Sequence, residues 1–466
     1  MPARTGKIRL LPLVAATYFM VAGGPYGLED ILGGAGYARA LLLLLCVPFL
    51  WSLPTALMVG ELASAIPEEG GYYVWVRRAL GGFWGFQEAW LSLAASVFDM
   101  AIYPTIFVLY LSRIAPSLTA GPRAIFWELA IVALCTAWNL RGAKSVGEGS
   151  VAMMALLLAP FVALVLTALW RVLLAPAAAT LDLSLAGRVM HSFALLRAPV
   201  AAPSLAAALS VTLWNYMGWD NASTVAQEVE DPQRNYPRAM LISAALVALT
   251  YIVPLAAVGL AGIPADRFST GAWADAARAI GGSGWFGSML ALAVVAGGML
   301  NGGGMFNALM LSYARVPYAL AQDGLLPRFL TRTREATPER AAVPWASIVV
   351  CAACWALALN LTFERLISID LVLYGASLLL EFIALAVLRV REPGLRRPFR
   401  VPGGLFAAIA CGVGPALLIA FALFAARSER VGPMPALLLA LGIAALGPLA
   451  WLVARARAGG RKSTPS

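Results

Sequence analysis

Charge is what this 466-residue chain has least of. Asp, Glu, Lys and Arg make up 12% of it, about half their share in a soluble globular protein. Histidine occurs once, as His191, and cysteine five times. One histidine and scattered cysteines cannot build a metal centre, and no base–nucleophile constellation marks a membrane-embedded enzyme. Cys351-Ala352-Ala353-Cys354 has no second pair and sits in a lipid-length apolar run, so these cysteines read as small hydrophobes. Asn301-Gly302-Gly303-Gly304 lacks the lysine of a phosphate loop and reads as a close helix-packing surface. The net charge of +10 is spread through the gaps between apolar runs. A nucleic-acid binder would gather it into a patch. The longest polar stretch, 322–344, is too short for a soluble signalling domain. No enzyme, cofactor, metal or nucleic-acid partner is therefore expected.

Hydrophobic residues make up 61% of the chain. Such a composition cannot be wrapped in a polar surface, so the chain is expected to be an integral membrane protein. A helix crossing the hydrocarbon core needs about 20 apolar residues. Runs free of Asp, Glu, Lys and Arg at that length are 10–28, 40–60, 149–170, 198–219, 239–265, 279–314, 341–363, 401–426 and 431–454. Three more segments hold only isolated acids: 83–112 with Glu88 and Asp99, 123–140 with Glu128, and 370–389 with Glu381. About twelve transmembrane helices follow. About two-thirds of the Lys and Arg then fall on one side, which places both termini in the cytoplasm. The first run is not expected to be a cleaved signal peptide, because it carries Gly23-Gly24-Pro25 and ends in Glu29-Asp30.

Two spans are interrupted. The first runs through Gly23, Gly24, Pro25, Tyr26 and Gly27, and Gly and Pro oppose helix by about 1 and 3 kcal/mol. The sixth contains Trp214-Asn215-Tyr216-Met217-Gly218-Trp219-Asp220. Backbone may unwind at membrane depth only where it lines a cavity or is buried in protein. Two breaks five spans apart point to an inverted-repeat transporter with its site near the midplane.

Around these residues the chain resembles the amino acid–polyamine–organocation superfamily, and within it the plant-type polyamine uptake and L-type amino acid transporters. The likeness rests on residues 23–30, Trp51-Ser52-Leu53-Pro54, Gly60-Glu61-Leu62, the stretch 67–76, residues 82–87, Asp99 through Pro104, residues 214–220, Gln227 through Pro232, and Ser312 through Pro327. The resemblance implies a LeuT-type fold: an all-α membrane protein with a 5+5 inverted repeat, helices 1 and 6 broken, and two peripheral helices. It implies alternating access, a cytoplasmic loop helix over 67–76, and an inner end of span six at 227–232. The expected layout is a cytoplasmic N-terminus (1–9), a first repeat (10–170), an outer loop (171–200), a second repeat (201–391), spans eleven and twelve (392–454) and a cytoplasmic tail (455–466), in the cell membrane.

The candidate binding residues are Gly23, Gly24, Pro25, Tyr26, Gly27, Asp99, Trp214, Tyr216, Trp219 and Asp220. Free glycine amides at a half-helix end suit a carboxylate, but Glu29 and Asp30 offset that end. Asp99 and Asp220 sit in lipid-depth sequence with no Lys or Arg beside them in spans one, three or six. An intramembrane carboxylate needs a cavity or a partner. Separated acids with Trp214, Tyr216 and Trp219 suit a cationic amine held partly by cation–π contact. Putrescine or spermidine is the expected class, then cationic and then neutral amino acids. Glu29, Asp30, Glu61, Glu228 and Glu381 are proton-coupling or gate candidates. Glu29 and Asp30 are placed near the outer mouth, and Glu381 is placed against span one. Glu61, Glu228 and Glu230 are expected to pair with Arg77, Arg238 or Arg315. Sodium sites in this fold use adjacent hydroxyls on span eight, where Ser312 stands alone, so protons are expected over sodium. Exchange without an ion is the other route.

Overall fold

A computed structural model describes residues 7–173, 194, 196–197, 204–335, 341–359, 363–427, 430–431 and 433–460. His191, most of the expected outer loop and the tail from 461 lie outside the described residues.

The apolar runs form helices. α1 (Leu10–Val21) is followed by an unwound stretch and then α2 (Glu29–Val47). α2 bends at Gly36, whose φ of 73° glycine alone adopts at no cost. The chain beyond Gly36 passes through a π-turn at Pro48–Ser52 into α3 (Leu53–Ala65). Pro48 lacks an amide hydrogen, which suits the disturbed ladder there. α4 (Tyr72–Leu80), α5 (Gly82–Ile114), the short α6 (Pro116–Thr119), α7 (Arg123–Asn139) and α8 (Ala143–Leu173) follow. The next part starts with α9 (Leu205–Asn215), a 3-10 helix over Asp220–Glu228, and α10 (Pro232–Leu260). It continues with α11 (Trp273–Gly281), α12 (Trp285–Tyr313), α13 (Arg315–Gln322), α14 (Trp345–Leu357) and α15 (Phe363–Arg391). α16 (Gly404–Ala426) and α17 (Ala436–Gly460) close the chain, joined by a two-residue antiparallel pair, β1 (Arg430–Val431) and β2 (Met434–Pro435).

The protein is an all-helical membrane protein. Eight helical stretches among the described residues are long and apolar enough to cross a bilayer, with Leu10–Val21 and Trp345–Leu357 as shorter apolar helices. Length and apolarity alone do not reach the expected twelve, because spans one and six are split and α7 and α14 have 17 and 13 residues.

α5, α12 and α15 form the centre, with α1 packed against α8, α10 and α12. Two-thirds of the apolar windows of α5 and α15 are buried (67% each), against 22% for α16 and 17% for α17. The last two helices are therefore peripheral. Apolar side chains gain little by leaving lipid for protein, so close packing has to come from small residues. α12 supplies them: a methyl group at Gly302 would meet the Tyr103 carbonyl and Phe107, one at Gly304 the Phe19 ring, and one at Gly298 the Tyr110 ring.

Three expected boundaries move. Span ten begins at Phe363, not 370, and span two extends from the bend at Gly36 to Ala65. The loop helix begins at Tyr72, because Gly70 and Gly71 both take positive φ and 69–71 is a turn. That helix is no surface element: Tyr72, Tyr73, Val74, Trp75 and Val76 are all buried.

Candidate functional site

The two breaks lie side by side. In the first, Ala22 is extended and Gly24 and Gly27 take φ of 77° and 87°. In the second, Tyr216 leaves the helix and Gly218 has φ of 92°. Gly218 lies against the Met20 carbonyl. Asn215 Nδ2 donates to the Gly27 carbonyl at 3.3 Å and to the Val211 carbonyl at 2.8 Å. The Gly218 amide donates to Tyr374 Oη at 3.0 Å, and that hydroxyl donates to Asp220. Backbone groups freed by unwinding thus find partners inside the protein, as lipid-depth backbone must.

Beside the breaks is a cavity of about 10 Å³, the space of about one water-sized sphere. Met20 and Val21 close it from α1, and Met217, Gly218 and Asn221 from the second break. Asp99 and Tyr103 enter from α5, Asp370 and Tyr374 from α15, Tyr313 from α12, and Trp214 from α9. Asp99 accepts from the Tyr103 hydroxyl at 2.5 Å and the Tyr313 hydroxyl at 3.4 Å. Asp370 faces Asp99, and its Oδ2 is buried without a hydrogen-bond partner. The Tyr103 and Trp214 rings stack, 6.3 Å between centroids and 21° between planes. Two carboxyls and four aromatic rings, with no Lys or Arg in the lining, form a site that favours positive charge.

The sequence candidates divide here. Asp99 and Trp214 line the cavity. Asp220 stands one step behind, bonded to Tyr374 at the start of the 3-10 helix. Tyr216 and Trp219 point elsewhere: Tyr216 donates to the Leu44 carbonyl at 2.8 Å and packs on Tyr251, and Trp219 is fully buried away from the lining. Gly23, Gly24, Pro25, Tyr26 and Gly27 do not line it either. Gly23 packs on Asn301 and Gly24 on Leu157, the Pro25 carbonyl accepts from Trp273 at 2.8 Å, and Tyr26 donates to the Val294 carbonyl at 2.6 Å. Asp370, Tyr103, Tyr313 and Tyr374 were not anticipated. Cys351 is buried and Cys354 exposed, three residues apart on α14.

Glu29 is not at an open mouth. It is fully buried and accepts from the Gly27 amide at 2.7 Å, the Gly271 amide at 3.1 Å and the Tyr110 hydroxyl at 2.7 Å. The expected free amide at Gly27 is consumed by this carboxyl, two residues away. Asp30 accepts from the Thr270 hydroxyl at 2.8 Å. Together they tie the first break to the segment before α11.

At the other end, Ile8 and Val229 form a parallel bridge that pins the N-terminal segment to the end of span six. Arg315, almost fully buried, binds Glu228 and lies 3.9 Å from Glu69. That pairing was expected. Glu61 was not expected to find Arg389 and Arg397, yet it does, and it also accepts from the Val401 amide at 2.7 Å. Arg77 pairs instead with Asp323, and Glu230 lies 3.7 Å from Arg9. Glu381 lies on α15, which packs chiefly on α5, α16, α4 and α17, and the acids facing it are Asp220 and Glu88. Buried ion pairs thus gather at the Ile8–Val229 end, and the Glu29 and Asp30 contacts at the opposite one.

A family model described as "Amino acid permease" matches residues 14–446. The chain belongs to that family, within the amino acid–polyamine–organocation superfamily. It is a transporter and not an enzyme. Among permeases it is similar to polyamine transporter PUT1 of Oryza sativa subsp. japonica, 34% identical over 426 residues, 91% of this chain and 75% of the rice protein. It is similar to polyamine transporter RMV1 of Arabidopsis thaliana, 32% identical over 424 residues, 90% of this chain and 81% of that protein. A more distant likeness is to the serine/threonine exchanger SteT of Bacillus subtilis, 23% identical over 355 residues, 75% of each chain.

Proposed function

We propose that this permease carries a cationic amine of the putrescine or spermidine class across the plasma membrane by alternating access, coupled to protons. The observation that carries it is the pairing of Asp99 and Asp370 around one aromatic-lined cavity. An α-amino acid needs an anion-binding half beside its ammonium subsite. Here the Gly27 amide, one of those expected for that role, is taken by Glu29. A diamine needs only carboxyls and ring faces, and those are what the lining offers. The similarity to two polyamine transporters supports the same substrate class.

In this account 10–170 and 201–391 are the two inverted repeats, 392–454 is peripheral, and the Ile8–Val229 end is cytoplasmic. Asp99 and Asp370 bind ammonium groups, and Tyr103, Trp214, Tyr313 and Tyr374 provide the ring faces. Asp220 positions Tyr374. The Arg315–Glu228, Arg389–Glu61 and Arg77–Asp323 pairs form the inner gate, and Glu29 with Asp30 forms the outer one. The test is uptake into proteoliposomes of labelled putrescine, spermidine, arginine and leucine under imposed pH or sodium gradients. Putrescine and spermidine uptake that responds to pH and not to sodium is expected. Uptake confined to leucine or arginine would make it an amino acid permease or exchanger instead.

A further inference from the structure

α5 and α15 run antiparallel and carry acids with the same spacing. Asp99 lies eleven residues after Glu88 on α5, and Asp370 eleven before Glu381 on α15. At 1.5 Å per residue that is about 16 Å along each helix. The aspartates face one cavity, and the glutamates form a second level nearer the end closed by Arg389 and Glu61. Glu88 and Glu381 are both fully buried, and none of their four carboxyl oxygens has a hydrogen-bond partner.

Among the described residues no Lys or Arg acts on the pair: Arg77 and Arg78 of α4 bind Asp323 and Glu392, and Arg389 of α15 binds Glu61. The groups acting on the pair are each other and Asp220, with Tyr72 and Tyr73 facing from α4 and Tyr374 from α15 itself. Tyr72 accepts from Ser92, one turn along α5 from Glu88. α16, which also packs on α15, carries no Asp, Glu, Lys or Arg, and neither does 436–454 of α17. Two bare carboxylates at such depth would repel each other and would have lost their hydration without compensation. A proton on one of them removes the repulsion and that group's lost hydration, and needs no cavity.

We propose that Glu88 and Glu381 together form the station that holds the coupling proton, one level below the amine cavity. This rests on the proton-coupled transport proposed above. Loading adds one proton from water to a carboxylate oxygen, and release returns it to water on the other side. Asp220 faces both glutamates and is tied through Tyr374 to Gly218 in the second break. It is the positioning link between the proton station and the segment that must move.

Two readouts test the assignment on the full chain. The first is infrared spectroscopy of the purified protein, wild type against Glu88→Gln/Glu381→Gln. Loss of a protonated-carboxyl C=O band in the variant at neutral pH is expected, and an unchanged band overturns the proposal. The second uses labelled putrescine in proteoliposomes. The double variant should keep putrescine counterflow and lose accumulation driven by a pH gradient, whereas retained accumulation overturns it. A wild type that moves putrescine but ignores pH overturns the coupling and this assignment together. A wild type that does not carry putrescine at all overturns the substrate class, and the infrared result then decides the proton station alone.

Discussion

Gly218 of the second break rests against the carbonyl oxygen of Met20 at the end of the first half-helix, with φ of 92°. A methyl group there would overlap that oxygen, and the dihedral alone costs an L residue about 1–2 kcal/mol. Gly218→Ala should still reach the membrane but lose transport by at least about tenfold, the factor that about 1.4 kcal/mol represents. Uptake normalised to membrane protein checks it. Uptake equal to wild type would mean the breaks need not touch.

Glu29 holds three donors from three segments, at Gly27, Tyr110 and Gly271. Glu29→Gln turns one acceptor oxygen into a donor facing donors. Each buried polar group left unpaired costs about 1–3 kcal/mol. The variant should melt measurably lower, and the segment around Gly271 should be cut faster by protease. A melting temperature equal to wild type would count against the clamp.

The breaks were legible because their signal is local. Gly23-Gly24-Pro25 and the polar Trp214–Asp220 stretch oppose helix wherever they occur, and Asp99 interrupts an apolar run. Asp370 was hidden because it lies at the edge of its apolar run and so reads as interfacial. α15 in fact starts at Phe363, two turns earlier, which carries Asp370 inward. Glu29 and Glu61 were misplaced for a different reason. Their partners are up to 242 and 340 residues away, and no spacing rule reports such a contact. Nothing in the sequence links Glu381 to Glu88, because the two acids sit on different helices.

Arg315 and Glu228 are buried together between α13 and the end of the 3-10 helix. Removing one member of such a pair costs about 3–5 kcal/mol, because the other is left charged and uncompensated. Arg315→Met should therefore loosen this end of the bundle. Single cysteines placed near Ser223 should become reactive to a water-soluble thiol reagent. Arg315→Met combined with Glu228→Leu should recover part of the lost stability. Unchanged labelling in the single variant would argue against a gate.

Glu69, in the turn before α4, has its carboxyl pushed up to about 7 by burial, with Arg315 opposing and Glu228 reinforcing the shift. The closed arrangement thus binds the Glu69 proton more tightly than an open or unfolded chain, where the ordinary value is 4.5. Its stabilising contribution is fully present below about 4.5 and is lost as pH rises through about 7. Closure at this end should weaken over that window, read as rising thiol labelling, and Glu69→Gln should flatten that component. Labelling that falls with rising pH would reverse the sign.

The most direct test of the amine site is equilibrium binding of putrescine to the purified protein, compared with Asp99→Asn and Asp370→Asn. A hydrogen bond to a charged group contributes about 1.5–3 kcal/mol, so each variant should bind at least about tenfold more weakly, with leucine failing to compete. Putrescine affinity equal to wild type in both variants, or full displacement by leucine, would contradict the account.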